Sequence, residues 1–422
     1  MKSNLDSAVI CVVGLGYVGL PLIKTFGRSV KAIGYDINSD KIAKLNRDNN
    51  NPNLTFTDNA NRIAEADFII ICVPTPVTSS KEPDLSFVQN AATTVGKNIK
   101  KGSIVILEST VYPGTTEEII MPILEKETGM KCGEDFKIAY SPERINPGDQ
   151  EHDIDKITKV VAGMDNETTE LISELYEKVT PNIFKAKSIQ TAEAAKIIEN
   201  IQRDLNIALM NELSLIFEKL NLKTSDVLDA AATKWNFHRY SPGLVGGHCI
   251  PVDPYYLVHR ATELGYHPQV ILAGRAINNS MAKHVAEMTI KALNEAGKVI
   301  KDSRVLIMGL TYKENVADTR ETPLKQLIIE LKNYGVDVCG YDPLLYDAEA
   351  EFGIKILNDP EQWSKFDGII LAIPHDVFKE ANGKISLKKL IKVMNNNPIL
   401  IDVKGCLNTS EVLDNGFYYR TL

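Results

Sequence analysis

The segment GGHCIPVD, residues 246–253, holds one cysteine, Cys249, in a glycine-rich loop four residues before Asp253. Near its start the chain carries a second glycine-rich run, GLGYVG at 14–19, whose spacing suits the phosphates of a nucleotide. A nucleophile and a nucleotide loop in one chain imply a dehydrogenase that works through a covalent thiol intermediate. Interconverting an alcohol and a carbonyl needs no nucleophile. Carrying the alcohol through to a carboxylate does, because an aldehyde donates hydride poorly until something adds to it. A thiolate adding to the aldehyde gives a thiohemiacetal, which can lose the second hydride. The bland alternative for Cys249 is an inert residue in a tight turn, and its neighbours weigh against that.

The nucleotide loop follows a short apolar run, AVICVV at 8–13, and opens a helical stretch. Gly14 permits the tight turn, Gly16 lets backbone N–H groups approach a pyrophosphate, and Gly19 allows close packing of helix on strand. Tyr17 and Val18 complete the loop and count among the expected cofactor contacts. Asp36 ends the second strand, 22 residues after Gly14. A carboxylate there can accept from a ribose 2′-hydroxyl and would repel a 2′-phosphate, so NAD is expected rather than NADP. CVPTPV (72–77) and STVYPGT (109–115) follow the third and fourth strands. Ligands of an open parallel sheet lie beyond the carboxyl ends of its strands, which makes Pro74, Thr75 and Thr110 candidate contacts. Thr75 and Thr110 can equally be turn residues that satisfy their own backbone.

Lys196, Asn200 and Arg203 fall within about 60° of one another on a helical wheel. Such a stripe is commonly a solvated face. Here EAAKIIEN packs the lysine among small and apolar residues, and a desolvated lysine loses basicity and can act as a base or hold an oxyanion.

The elements that must position these groups are legible as alternating strands and helices. Strands are expected at 8–13, 30–36, 66–74 and 102–110, and again at 304–310, 336–343, 366–374 and 398–405, with helices over 14–28 and 323–334. Short β-rich runs separated by helices imply parallel, doubly wound sheets. The two ends echo each other: GYD closes a strand at 34–36 and at 340–342, and Asp67 and Asp367 each open an apolar strand ending in proline seven residues on. Between them, apolar residues 197, 198, 201, 205, 208 and 209 give helical spacing over 191–220, and a second long helix covers 268–297, with Gly297 as its C-terminal cap. The expected fold is α/β: two Rossmann-like doubly wound domains, 1–190 and 301–422, joined by a long-helix central domain, 191–300, that supplies a dimer interface.

A chain of 422 residues is too long for one ordinary core, and 44% hydrophobic with 24% charged residues marks a globular protein. The net charge of −8 argues against a nucleic-acid partner, which would need a basic face. No run approaches the roughly 18–20 apolar residues of a membrane span, and residues 1–16 lack a signal peptide's architecture. A cytoplasmic protein is expected. Of six cysteines, Cys11, Cys72 and Cys339 lie in apolar strand-like runs, Cys132 and Cys406 read as ordinary structure, and no CxxC pair indicates a metal.

At this point the chain resembles the UDP-glucose and GDP-mannose dehydrogenases. GLGYVGLP, VPTP, STVYPGT, SPERINPG, AAKIIENIQRDLNIALMNE, PGLVGGHCIPVDPYYL and GLTYKENVADTRETP occur in family order, nearly end to end. The helix ENIQRDLNIALMNE and the loop GGHCIPVDPYYL resemble the branch that oxidises UDP-N-acetylglucosamine or UDP-N-acetylgalactosamine. The UDP-glucose branch usually carries a lysine where this chain has Val252, and an arginine near the final strand where it has Lys404. The resemblance implies that Cys249 is the nucleophile. Lys196, Asn200 and Asp253 would handle protons and the developing oxyanion, with Lys196 lowering the thiol's pKa. Glu143 would help activate the water that hydrolyses the thioester, and Thr110 would help hold a water. His248 is not needed as the cysteine's base. Glu143, Arg144, Lys196, Asn200, Arg203, Tyr240 and Gly246 would contact a UDP-sugar, and Arg275 would reach a substrate, its own or that of a dimer partner. Lys313 would sit on the sugar side, and Arg320 on the cofactor side, of the junction between the two sites.

The reading is an NAD-dependent UDP-N-acetylhexosamine 6-dehydrogenase that makes a uronate for a surface or capsular polysaccharide. Its rivals are the same chemistry on UDP-N-acetylmannosamine or UDP-glucose, a non-catalytic nucleotide-sugar sensor, and a two-electron hydroxy-acid dehydrogenase. The last two predict indifference to Cys249.

Overall fold

A computed structural model describes residues 5–144, 156–346, 348–358, 363, 365–378 and 386–422. The second half of SPERINPG, residues 145–148, lies outside the described residues. The chain divides into two compact units, residues 1–200 with 252–267, and residues 201–251 with 268–422.

In chain order the first unit runs β1 (Val9–Val13), α1 (Gly19–Phe26), β2 (Lys31–Tyr35), α2 (Ser39–Arg47), β3 (Leu54–Thr57), β4 (Phe68–Ile71), α3 (Ser86–Gly96) and β5 (Ile104–Leu107). It continues through α4 (Met121–Thr128), β6 (Lys137–Tyr140), β7 (Lys159–Gly163), α5 (Asn166–Tyr176) and β8 (Ile183–Lys185). Then come α6 (Ile189–Leu220), the long helix whose first part belongs to this unit, α7 (Thr224–Ala231) in the second unit, and α8 (Asp253–Glu263), back in the first. The sheet order is β3-β2-β1-β4-β5-β6-β7-β8, parallel except where β6 meets β7. Both faces are covered. Cys11, Val13, Ile69 and Ile71 bury on one side, and Ile10, Val12, Phe68 and Ile70 on the other. A strand buried on both faces needs an unbroken apolar run, and β1 and β4 have one.

The second unit adds α9 (Gln269–Glu295), β9 (Arg304–Met308), α10 (Leu324–Asn333), β10 (Asp337–Tyr341), α11 (Glu349–Phe352) and β11 (Lys355–Ile356). It ends with β12 (Phe366–Leu371), α12 (Leu387–Lys392), β13 (Met394–Asp402), α13 (Thr409–Asp414) and β14 (Tyr418–Thr421). Its parallel sheet runs β11-β10-β9-β12-β13-β14, the same 3-2-1-4-5-6 pattern that begins the first sheet. Gly297 follows α9 with φ of +72°, the left-handed conformation that ends many helices.

The echo between the two ends of the sequence is structural. Asp67 accepts the Val9 N–H at 2.9 Å and Asp367 accepts the Arg304 N–H at 3.0 Å, each carboxylate fixing the start of a central strand. The Gly14 N–H donates to the Tyr35 carbonyl and the Gly309 N–H to the Tyr341 carbonyl. Asp36 accepts from the Leu15 N–H at 2.9 Å, Asp342 from the Leu310 N–H at 2.6 Å. The copies then diverge. Asp342 is also engaged by His375 Nε2 at 3.0 Å and buried, whereas Asp36 takes Lys41 at 3.0 Å.

Several strands are too short or too weakly marked to stand out in the sequence. β3, β6 and β8 have four residues or fewer, and β7 begins with a lysine. Among the described residues no helix is long and apolar enough to cross a membrane.

Candidate active site

The nucleotide end of the first unit is built from its glycines. Gly14 has φ of +93°, and a Cβ there would meet the Cys72 carbonyl oxygen at 2.6 Å. A Cβ on Gly19 would lie 2.0 Å from the Gly14 carbonyl, so only glycine lets α1 begin this close to β1. Gly16 is different: nothing lies within 4 Å of its Cβ position, and it is exposed together with Tyr17. Open space over an uncapped helix start, with half-buried Val18 at the N-cap and the Asp36 carboxylate at the end of the neighbouring strand, fits a dinucleotide's pyrophosphate and ribose. Burial raises the Asp36 carboxyl, but the N–H groups of Leu15 and Asn38 and the Lys41 ammonium outweigh it and hold the group below its ordinary value. It is therefore an ionised acceptor.

The two loops beyond β4 and β5 are tied down from elsewhere in the same unit. Pro74 is exposed, and Thr75 and Thr110 are half-buried. Tyr256 of α8 donates its hydroxyl to the Pro76 carbonyl at 3.0 Å. Glu193, fully buried on α6, accepts from the Gly114 N–H at 2.6 Å, the Thr116 N–H at 2.9 Å and the Thr116 hydroxyl at 2.7 Å. Burial pushes its carboxyl up to about 7 against those three donors. Glu193 thus binds the STVYPGT loop to α6 one turn before Lys196.

Lys196 and Asn200 are buried, 8% exposed each, and Asn200 Nδ2 donates to Asp253 Oδ2 at 2.6 Å. Asp253 is the first residue of α8 and is buried. Desolvation raises its carboxyl to about 6, with the Lys196 charge and the Asn200 hydrogen bond opposing. These three candidates are brought together as a lysine, an amide and a carboxyl that titrates near neutrality. Arg203, on the same wheel face, is exposed. Glu143 is buried after β6, while Arg144 pairs with Glu199 at 2.8 Å and donates to the Thr158 carbonyl.

In the second unit, Cys249 is half-buried in an irregular loop. A Cβ on Gly246 would meet Pro323 Cδ at 2.8 Å and the Glu321 carbonyl at 3.0 Å, and one on Gly247 (φ +92°) would meet the Tyr312 ring at 2.8 Å. The glycines let the loop pass tightly against 312–323, where His248 meets Tyr312 edge-on at 6.1 Å. Burial pushes the Tyr312 phenol up to about 12, with Asp318 and Cys249 adding to the rise. Lys313 is half-buried, and Arg320 is exposed and paired with Asp318 at 2.5 Å. Tyr240 is half-buried.

Arg275 lies within this unit, 3% exposed, with its guanidinium on Asp204 Oδ1 at 2.6 Å and on Asn279. It belongs to a polar network that spacing does not single out. Asn278 donates to Asp204 at 2.7 Å and accepts from Asn211 at 2.8 Å. Asn211 donates to the Gly243 carbonyl at 3.1 Å and accepts the Gly243 N–H at 2.8 Å, gripping both sides of that residue's backbone. Glu193, Asp204 and Asn211 were missed because a buried polar residue on a helix looks like any solvated one until its partner is known. All six cysteines are free, and no cluster suited to a metal occurs among the described residues.

Known proteins resemble the chain over most of its length. Three models of the UDP-glucose/GDP-mannose dehydrogenase family match: the NAD binding domain over 8–52 and 47–180, the central domain over 190–280, and the UDP binding domain over 306–409. The chain belongs to this family. It is accordingly an NAD-dependent oxidoreductase, with NAD served by the first sheet. Among relatives within the family, it is 48% identical to protein CapL of Staphylococcus aureus, covering 96% of this chain and 97% of that one. It is 46% identical to a UDP-N-acetyl-D-glucosamine 6-dehydrogenase of Pseudomonas aeruginosa, covering 94% and 97%. Among solved structures, a UDP-D-ManNAc dehydrogenase from Pyrococcus horikoshii matches with a TM-score of 0.87 at 30% identity, covering 98% of both chains.

Proposed function

We propose that the chain oxidises the C6 hydroxyl of a UDP-N-acetylhexosamine, with the gluco or galacto sugar as substrate, to the uronate. Supporting the choice of sugar are the relatives named for UDP-N-acetyl-D-glucosamine, at 46% identity in both Pseudomonas aeruginosa and Salmonella typhi. UDP-N-acetylmannosamine is the second reading, favoured by the fold likeness to the Pyrococcus enzyme. The observation that carries the chemistry is the buried Lys196–Asn200–Asp253 set, in a chain whose Cys249 stands four residues before that aspartate.

NAD, when bound, supplies the two-electron acceptor for each of two oxidations. Asp253, acting through a water, takes the hydroxyl proton in the first, with the Lys196 charge beside it favouring the carboxylate that accepts. Cys249 Sγ then adds to the aldehyde carbon, and Lys196 and Asn200 hold the oxygen as charge develops on it. The second oxidation leaves a thioester on Cys249. Water, held by Thr110 and deprotonated by Glu143, attacks the thioester carbon, the C–S bond breaks, and the uronate leaves. Residues 1–190 serve NAD, 301–422 the UDP-sugar, and 191–300 the contact between two copies. Arg144, Arg203, Tyr240, Gly246 and Lys313 are assigned to the sugar nucleotide, Arg320 to the junction with NAD, and Arg275 to a substrate. The exposed Leu209, Ile216 and Leu220 of α6, spaced as one stripe, support a homodimer. We assign the cytoplasm, which supplies NAD and keeps six free cysteines reduced. The product would enter a surface or capsular polysaccharide.

The test is NADH formed per UDP-sugar consumed. Two NADH from UDP-N-acetylglucosamine or its galacto epimer is the expected result, abolished in Cys249→Ala with NAD affinity retained. One NADH per sugar, or near-normal turnover in Cys249→Ala, would reject the covalent scheme. Tight binding without turnover would favour a sensor.

A further inference from the structure

Beneath the loop that carries Glu143 lies an ion pair that the mechanism above does not use. Lys159 opens β7 with 2% of its surface exposed, and Glu108 follows β5 with 1%. Lys159 Nζ lies 3.0 Å from Glu108 Oε1 and donates to the Pro142 carbonyl at 3.1 Å. Tyr176 of α5 donates its hydroxyl to the same Glu108 oxygen, and its ring centroid lies 5.1 Å from Lys159 Nζ. Cys72 Sγ stands 3.9 Å from Glu108 Oε2.

Each neighbour's charge state can be worked out. Burial and the carboxylate beside them push the Tyr176 phenol and the Cys72 thiol well above their ordinary ranges, so both are neutral. Burial also penalises the Lys159 ammonium. Glu108 and Glu143 together outweigh that penalty, and the lysine stays charged. One buried cation therefore serves two buried carboxylates, Glu108 in direct contact and Glu143 through the field.

An apolar pair could fill such a volume with no loss of stability, and often with a gain. A buried lysine kept here points to a use other than stability, and the Pro142 carbonyl indicates which. That oxygen belongs to the peptide bond from which Glu143 departs, so the ammonium fixes the backbone of Glu143 while its charge acts on that residue's carboxylate through the field.

We propose that Lys159, backed by Glu108, is a positioning residue for hydrolysis of the thioester, acting through Glu143. The proposal rests on the reading of Glu143 as the group that activates water. In that step Glu143 takes a proton from water, the oxygen adds to the thioester carbon, the C–S bond breaks, and the sulfur leaves as thiolate and regains the proton. Lys159 touches neither substrate nor cofactor. Its removal should slow hydrolysis and spare both oxidations.

The experiment uses the full chain with NAD and UDP-N-acetylglucosamine, following NADH by stopped flow and the mass of the intact protein after quenching. Lys159→Met should release a burst of two NADH per subunit, then turn over roughly 10²-fold more slowly, with the sugar acyl group found on Cys249. Its KM for the sugar should change by less than about threefold, and Lys159→Arg should restore most of the hydrolysis. Steady-state hydrolysis at the normal rate, or burst and steady state slowed alike, would overturn the proposal. If Lys159→Met does not fold, the double variant Lys159→Met with Glu108→Gln removes both members of the contact pair and should accumulate the same adduct. A double variant that turns over normally would overturn the proposal. Glu143→Gln is the reference: if it accumulates no adduct, the reading of Glu143 falls and the proposal with it, whereas an adduct in Glu143→Gln and none in the lysine variants removes Lys159 alone.

Discussion

Asp253 is held in two opposing ways. Burial lifts its carboxyl from an ordinary 3.8 to about 6, while the Lys196 charge and the 2.6 Å bond from Asn200 pull it down. At neutral pH it is ionised yet a far better proton acceptor than an exposed carboxylate. The rate kcat/KM should therefore fall about tenfold per pH unit below about pH 6. Asn200→Ala removes a bond that favours the carboxylate, so this acid limb should move to higher pH; a limb that stays in place would assign it to another group. Stability runs the other way. A raised carboxyl favours the fold fully below its unfolded value near 4, and that contribution is lost as pH rises through about 6. At this scale type and spacing singled out Cys249, Asp253, Lys196 and Asn200 in the sequence, and the structure brings the last three together. The sequence did not show that Arg275 is buried against Asp204, because the wheel of one helix says nothing of the charge on another.

Helix α6 carries more than its apolar spacing suggests. Residues 197, 201 and 208 bury, but 198 and 209, equally apolar, are exposed, so one periodic pattern held two stripes. Its Asn211, fully buried, grips the backbone of Gly243 six residues before Cys249. A Cβ on that glycine would lie 3.1 Å from Lys404 Nζ. Asn211→Leu would leave the Gly243 N–H and carbonyl without these bonds, at a cost of about 1–3 kcal/mol in unfolding free energy. The Cys249 loop should loosen, and alkylation of Cys249 by iodoacetamide should speed up several-fold at constant pH. Unchanged alkylation would confine Asn211 to stability. Helices α1, α6, α9 and α10 and the central strands were legible from periodicity and from apolar runs. The short strands β3, β6 and β8 and lysine-led β7 were not, since their place in the sheet comes from their neighbours in it.

For the whole molecule, two runs of alternating strands and helices and the repeated GYD and Asp67/Asp367 devices made a two-sheet protein readable in the sequence, whereas the shared strand order appears only in the structure. The split into units was less readable, because α6 contributes to both. The exposed stripe on α6 argues at this scale too. Sedimentation should show a dimer, and Leu209→Arg with Ile216→Arg should yield a folded monomer, since charge on an apolar contact is desolvated without a partner. A wild-type monomer, or a double variant that remains dimeric, would remove the stripe from the interface.

The first unit is discontinuous, and that sets an order of assembly. Its last helix, α8, follows the cysteine loop and supplies Tyr256 to the Pro76 carbonyl, Arg260 to Glu118 and His259 to Glu82. When the ribosome has released residue 200, the strands of the first sheet are all made, yet the side that α8 covers is still bare. Vectorial synthesis favours early folding of an N-terminal domain, but here the NAD-binding half must wait for residue 267 to emerge. A nascent chain stalled before that point exposes unfinished surface to chaperones and proteases, and a fragment cut at residue 200 is an interrupted protein rather than an isolated domain.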